Sequence, residues 1–288
     1  MQSHRPPEGG ILRRYALVVV AAGVAVGLAA AFAVLAYAMS SDGALSSLDR
    51  QITEAVVAAR TVSFDYLFWG LTLLGNALFL GTVAATIVFV LVVWGCRARA
   101  VLIAGGVVGA QIISSLVKYA YQRPRPPEAI MLIRSPISHS FPSGHAFLTL
   151  VVAALILFLL VRFAGRSAGG GAERIGGLWD RPRLRVTLVV FAFVAASALV
   201  LGIGFSRVYL GVHWTSDVLA GWSLGGAWSA AVLAGFMLWE RRRERTRGPW
   251  PDACPGGTRR MRAVFVIAMI VVVAAAYVAA GLADPLLI

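Results

Sequence analysis

Seven stretches of this chain are apolar over lengths that can cross a lipid bilayer, near residues 15–38, 66–94, 100–121, 145–163, 186–205, 214–239 and 264–283. A hydrocarbon layer about 30 Å thick takes about 20 helical residues to span. The expected fold is therefore all-α, a polytopic integral membrane helix bundle of about seven transmembrane helices. Composition agrees: 59% of the residues are hydrophobic, 14% are charged, and the mean hydropathy is +0.80. No internal repeat and no separate soluble domain is evident. Arg13 and Arg14 precede the first run, and Ala36-Tyr37-Ala38 imitates a cleavage site. That run, about 24 residues, exceeds the roughly 7–15 of a signal core and reads as a membrane anchor.

The net charge of +13 raises the question of a nucleic-acid partner, but the arginines fall at the ends of alternate apolar runs and not along a binding stripe. Arg5, Arg13 and Arg14 precede the first run, and Arg97 and Arg99 lie between the second and third. Arg162 to Arg185 surround the fourth-to-fifth connection, and Arg241 to Arg262 follow the sixth run. The positive-inside tendency puts all four regions in the cytoplasm. The expected setting is a plasma membrane, with the amino terminus inside and the connections after the third and fifth runs outside. Nucleic acid is not an expected partner. Cys96 and Cys254 both fall on the cytoplasmic side, so neither a disulfide nor a cysteine metal site is expected.

Residues 1–14 read as a cytoplasmic tail and 15–99 as two membrane runs with an outer connector. A core over 100–239 is followed by a basic linker, 240–263, and an accessory helix, 264–288. Leu45, Leu48, Ile52, Val56 and Ala59 recur at helical spacing, with Asp49, Arg50 and Glu54 on other faces. This predicts a short amphipathic helix on the outer surface, a connector or a lid. Gly75-Asn76 predicts a break in the second run. Gly105, Gly109, Gly221 and Gly225 predict close helix packing.

Three separated segments carry groups suited to phosphate. They are Lys118-x6-Arg125-Pro126, Pro142-Ser143-Gly144-His145, and Ser206-Arg207-x5-His213-x3-Asp217. Lys118, the only lysine in the chain, with Arg125 and Arg207 can surround the equatorial oxygens of a transferring phosphoryl group. Ser143 can cap the helix that follows while free N–H groups face an anion, and Gly144 lets the backbone approach it. His213 and Asp217, four apart, share a helix face, so the carboxylate can steady the imidazole. Taken singly, Ser143 is an ordinary cap and His145 an interfacial polar residue. Ionisable residues at membrane depth favour function for His213 and Asp217. Arg123 and Arg134 occupy no motif position and read as contacts to headgroups or surface lipid. His4 and His139 read as solvated.

In order and spacing these segments resemble the three signature motifs of the type 2 phosphatidic acid phosphatase (PAP2) superfamily. The resemblance implies an antiparallel helix core and a lipid phosphatase working through a phosphohistidine. His213 is then the nucleophile, Asp217 its orienting partner and His145 the general acid and later base. Lys118, Arg125, Ser143, Gly144 and Arg207 bind phosphate. Sparse carboxylates point to no metal and no cofactor. Expected substrates are isoprenyl diphosphates, phosphatidic acid, diacylglycerol pyrophosphate or phosphatidylglycerophosphate, approached from the bilayer with membrane lipids as neighbours. The superfamily's vanadate haloperoxidases are soluble, unlike this chain. A non-hydrolytic transporter of anionic headgroups is the reading from another class.

Overall fold

The computed structural model describes residues 9–247 apart from 42, 135–136 and 167–181, and also residues 274, 277 and 278. Their regular structure is helical, save for one isolated bridge at Ile133. In chain order come α1 (Gly9–Ser40), α2 (Ala44–Ala58), α3 (Val62–Leu74), α4 (Ala77–Val93) and α5 (Arg97–Tyr121). A 3-10 turn (Glu128–Ile130) precedes α6 (Gly144–Arg166), α7 (Pro182–Tyr209) and α8 (Thr215–Arg247). Among the described residues, α1, α5, α6, α7 and α8 are each long and apolar enough to cross a membrane, and α3 with α4 makes a sixth, broken span bent by 42°. The run at 264–283 lies largely outside the described residues; its Tyr277 ring packs on Phe79 at 6.1 Å.

The break falls at Gly75-Asn76, as the sequence predicts. Asn76 caps α4 by accepting the Leu78 N–H at 2.8 Å, which closes one helix and starts the next. Lipid offers no hydrophobic drive for helices to associate, so close fit and a few polar contacts hold the bundle. The fit centres on α6, where 44% of the most apolar stretch is buried, against 11% for α7. Phe147, Leu148, Val151, Val152 and Leu155 of α6 pack into a core with Leu102, Ile103, Val107 and Ala110 of α5 and Leu80, Ala84 and Leu91 of α4. α1 lies along α8, where Gly226 meets Leu28.

Small residues permit these approaches. A Cβ at Gly221 would stand 2.7 Å from the Ser143 carbonyl oxygen, one at Gly225 2.9 Å from that of Phe147, and one at Gly109 2.4 Å from the Trp228 ring. Gly105 differs from expectation: it faces open space, and its neighbour Gly106 makes the contact, against Leu155. One residue of phase on the helix separates them.

Two further expectations are corrected. Cys96 is disulfide-bonded, against the expectation from its cytoplasmic placement. α2 is helical and amphipathic, yet Asp49 and Thr53 are buried while Leu48 is exposed. Asp49 turns inward to a buried cation, Arg123, while Arg50 and Glu54 stay exposed.

Gly221→Ala is expected to destabilise the bundle by about 1–3 kcal/mol through overpacking, seen as a lower thermal midpoint in detergent. Gly235→Ala, with nothing within 4 Å of the added methyl, leaves the midpoint unchanged or raises it.

Candidate active site

The ends of α5 and α7 and the starts of α6 and α8 meet at one end of the bundle. α5 stops at Gln122, whose left-handed φ of 45° sends the chain sideways while its N–H bonds the Lys118 carbonyl at 3.0 Å. Arg123 and Arg125 are thereby turned beneath α6 and α8. Lys118 donates to the His139 carbonyl at 2.6 Å. Arg125 donates to the carbonyls of Ser138 and Val212 at 2.9 and 2.6 Å. Arg207, 1% exposed, donates to the Thr72 hydroxyl on the broken span.

After α7 the chain reverses through Gly211, at φ +76°, where a Cβ would stand 2.5 Å from the Ile130 carbonyl oxygen; only glycine fits. The N–H groups of Val212 and His213 return to the Arg207 carbonyl at 3.1 and 3.2 Å, so cation and imidazole are fixed to each other through one peptide group.

His213 faces Asp217 Oδ2 through Nδ1 at 3.3 Å, and its Nε2 meets Arg125 Nη1 at 3.1 Å. A guanidinium can only donate, so this pairing describes a ring with its proton on Nδ1 and its lone pair on Nε2. Asp217 is fully buried. Its Oδ2 also accepts from the Trp214 N–H at 3.0 Å and from the Ser140 hydroxyl, and its Oδ1 from Arg123 at 2.5 Å.

His145 begins α6 and lies within electrostatic reach of Arg207, His213, Lys118 and Arg125. Its Nε2 and the Ser143 hydroxyl are buried with no hydrogen-bond partner. Buried polar atoms are ordinarily paired, so these two point to a polar occupant. Burial pushes the Arg125 guanidinium down to about 10, with Asp217 opposing the shift, and it stays charged at neutral pH. Burial, and then Arg125, Lys118 and Arg207, hold His213 well below the ordinary histidine value. Its ring is neutral and its lone pair available.

Two imidazoles and three cations thus converge on one partly buried locus, and residues 99–236 match the profile of the PAP2 superfamily. Residues 99–236 are thus a PAP2-superfamily core. It is 29% identical over 198 residues to phosphatidylglycerophosphatase B of Bacillus subtilis strain 168, covering 67% of this chain and 85% of that one. It is 28% identical over 120 residues to the undecaprenyl-diphosphatase of Sulfolobus acidocaldarius, covering 40% of this chain and 45% of the relative. The crystal structure of a transmembrane PAP2-type phosphatidylglycerolphosphate phosphatase from Bacillus subtilis superposes with a TM-score of 0.57 at 24% identity, over 77% of this chain and 98% of that one.

Within this PAP2 core the sequence reading needs two corrections. Arg123 is no lipid contact: it is 9% exposed and bridges Asp217 and Asp49. Ser143 precedes α6, but its hydroxyl caps nothing and its N–H bonds the Asp217 carbonyl at 2.9 Å. The N–H groups of the first α6 turn, which have no intrahelical acceptor, are the ones left for an anion. Ser140, Thr72 and Asp49 escaped sequence reasoning because each joins the site across many residues; the helical phase of Asp49 and Thr53 was the one available signal. Arg134 and His139 are exposed, though the His139 carbonyl anchors Lys118.

A histidine kept neutral on folding but protonated near 6.5 when unfolded makes the unfolded state bind the extra proton below that pH. Stability falls as pH drops below about 6.5, by at most about 1.4 kcal/mol per pH unit from this group. Thermal midpoints measured from pH 7.5 to 5.5 are expected to fall less steeply in His213→Gln than in wild type.

Proposed function

We propose that the protein removes the terminal phosphate of a lipid phosphate or diphosphate at the extracytoplasmic face of the plasma membrane, through a phosphohistidine. Support comes chiefly from His213: a neutral imidazole with Nε2 turned away from its carboxylate partner, surrounded by Lys118, Arg125, Arg207 and His145. Phosphate oxygens bind the three cations and the first-turn N–H groups beside Gly144, with the Ser143 hydroxyl as a further donor. Arg125 turns from Nε2 onto a phosphate oxygen as the substrate seats.

Nε2 of His213 then attacks phosphorus. An N–P bond forms as the bond from phosphorus to the lipid oxygen breaks, and His145 passes a proton to that oxygen. Asp217 stabilises the charged ring and holds its orientation. Water next attacks phosphorus, yielding a proton to His145, and the N–P bond breaks to release inorganic phosphate. Cations fixed by hydrogen bonds supply the charge stabilisation, so the reaction is metal-independent. Among the described residues no three His, Cys, Asp or Glu side chains are grouped to hold a metal ion.

Two considerations bear on the lipid. The Bacillus relative, matched over 67% of this chain, is named for phosphatidylglycerophosphate, which favours a phosphate monoester of a glycerolipid. An outward site suits recycling of an isoprenyl diphosphate, the class in the name of the Sulfolobus relative.

Purified protein in detergent, given phosphatidylglycerophosphate, phosphatidic acid and an isoprenyl diphosphate, is expected to release inorganic phosphate with excess chelator present. His213→Ala is expected to bind substrate and lower kcat by at least about 1000-fold, the scale of losing a nucleophile. Unchanged turnover in that variant, or loss under chelator that magnesium restores, contradicts the reading.

A further inference from the structure

The Asp217 carboxylate is held from behind by Arg123, and Arg123 by a second carboxylate that lies outside the matched residues. Asp49, on the inward face of α2, is 2% exposed. Its Oδ2 takes a hydrogen bond from Arg123 Nη2 at 2.8 Å, and its Oδ1 one from the Ser216 N–H at 2.9 Å in the first turn of α8. The Ser216 hydroxyl donates to Asp49 as well and accepts from Arg123 Nη1 at 2.7 Å. Arg123 Nη1 also reaches Asp217 Oδ1, and the guanidinium lies 5.7 Å from the centre of the Trp214 ring. Three of the five N–H donors of this arginine are therefore committed to Asp49, Asp217 and Ser216.

Two properties of the cluster matter for chemistry. It fixes Asp217 from the Oδ1 side, which leaves Oδ2 aimed at His213 Nδ1. It also sets the formal charge: a lone guanidinium would balance Asp217, whereas two carboxylates sharing one guanidinium carry a formal charge of −1 behind the ring. An imidazole that becomes cationic on attacking phosphorus still meets a negative partner. A buried carboxylate without such a counter-ion would be costly to keep ionised.

We propose that Arg123, clamped by Asp49 from α2, is a positioning residue for phosphoryl transfer that holds Asp217 ionised and oriented behind His213. The proposal rests on the reading of His213 as nucleophile. It makes α2 part of the catalytic apparatus, not a connector.

The test uses full-length protein in detergent with a lipid phosphate substrate, comparing Arg123→Gln, Arg123→Lys, Asp49→Asn, Arg123→Gln with Asp49→Asn, and His213→Ala. Inorganic phosphate serves as a competitive inhibitor that reports the anion locus. Arg123→Gln is expected to lower kcat by about 10- to 100-fold, the size of loss on removing an outer-shell partner at a metal-bound histidine. KM and the phosphate inhibition constant should stay within about twofold. Asp49→Asn alone lowers kcat less, and added to Arg123→Gln it changes little, because its effect passes through the arginine. Arg123→Lys, which keeps the charge and guards against a fold that does not survive glutamine, recovers part of kcat.

Parallel loss of substrate and phosphate affinity would mean that Arg123 meets the substrate, and additive effects or a wild-type kcat would make the cluster a structural clamp alone; either overturns the proposal. Turnover surviving in His213→Ala sinks the nucleophile reading instead, so the two failures are distinguishable.

Discussion

The Asp217 carboxylate is sealed from solvent, and the polar groups at one end of the bundle are arranged by its need for partners. Arg123, Ser140 and the Trp214 N–H reach it with hydrogen bonds, and His213 lines up on the same oxygen as Ser140. Its own carbonyl receives the Ser143 N–H. One residue at the head of α8 thereby binds the chain leaving α5, the loop before α6 and the turn after α7. Burying a charge is tolerable only with this density of donors, so the carboxylate dictates where each segment must lie.

Membrane packing makes such convergence possible. Lipid supplies no preference for helix over neighbouring helix, and glycines at Gly221 and Gly225 let α8 approach the backbone of α6 closely enough for the Ser143 to Asp217 bond to form. The broken span contributes from the opposite flank. Thr72, before the break, accepts from Arg207, and Gly75 stands where a Cβ would come within 2.9 Å of the His145 ring. A straight helix with a larger residue there would displace the imidazole. The kink belongs to the site as much as to the fold.

The membrane helices were legible because the bilayer imposes a length, and the Gly75-Asn76 break because glycine followed by a capping asparagine interrupts a helix whatever surrounds it. His145, His213, Asp217, Lys118, Arg125 and Arg207 were legible through spacing that repeats a known pattern, and the structure brings them together. Arg123 was not, since its partners Asp49 and Asp217 stand 74 and 94 residues away and no local rule joins them. α2 was read as an amphipathic helix on the outer surface, a connector or a lid; nothing local to it shows that Asp49 turns inward to a buried guanidinium. The Ser143 cap was a sound local inference that is not realised: its N–H bonds the Asp217 carbonyl and its hydroxyl is buried without a partner. Short-range physics placed the elements, and long-range charge pairing decided how they face.

The account's central claim is that His213 takes the phosphoryl group. Protein mixed with phosphate-labelled lipid substrate, quenched within its first turnovers and kept alkaline through proteolysis, allows the phosphorylated peptide to be mapped by mass spectrometry. The account predicts an acid-labile phosphoryl group on His213 and none on His145. Label on His145, or turnover that yields inorganic phosphate with no phosphorylated histidine at any quench time, would contradict it.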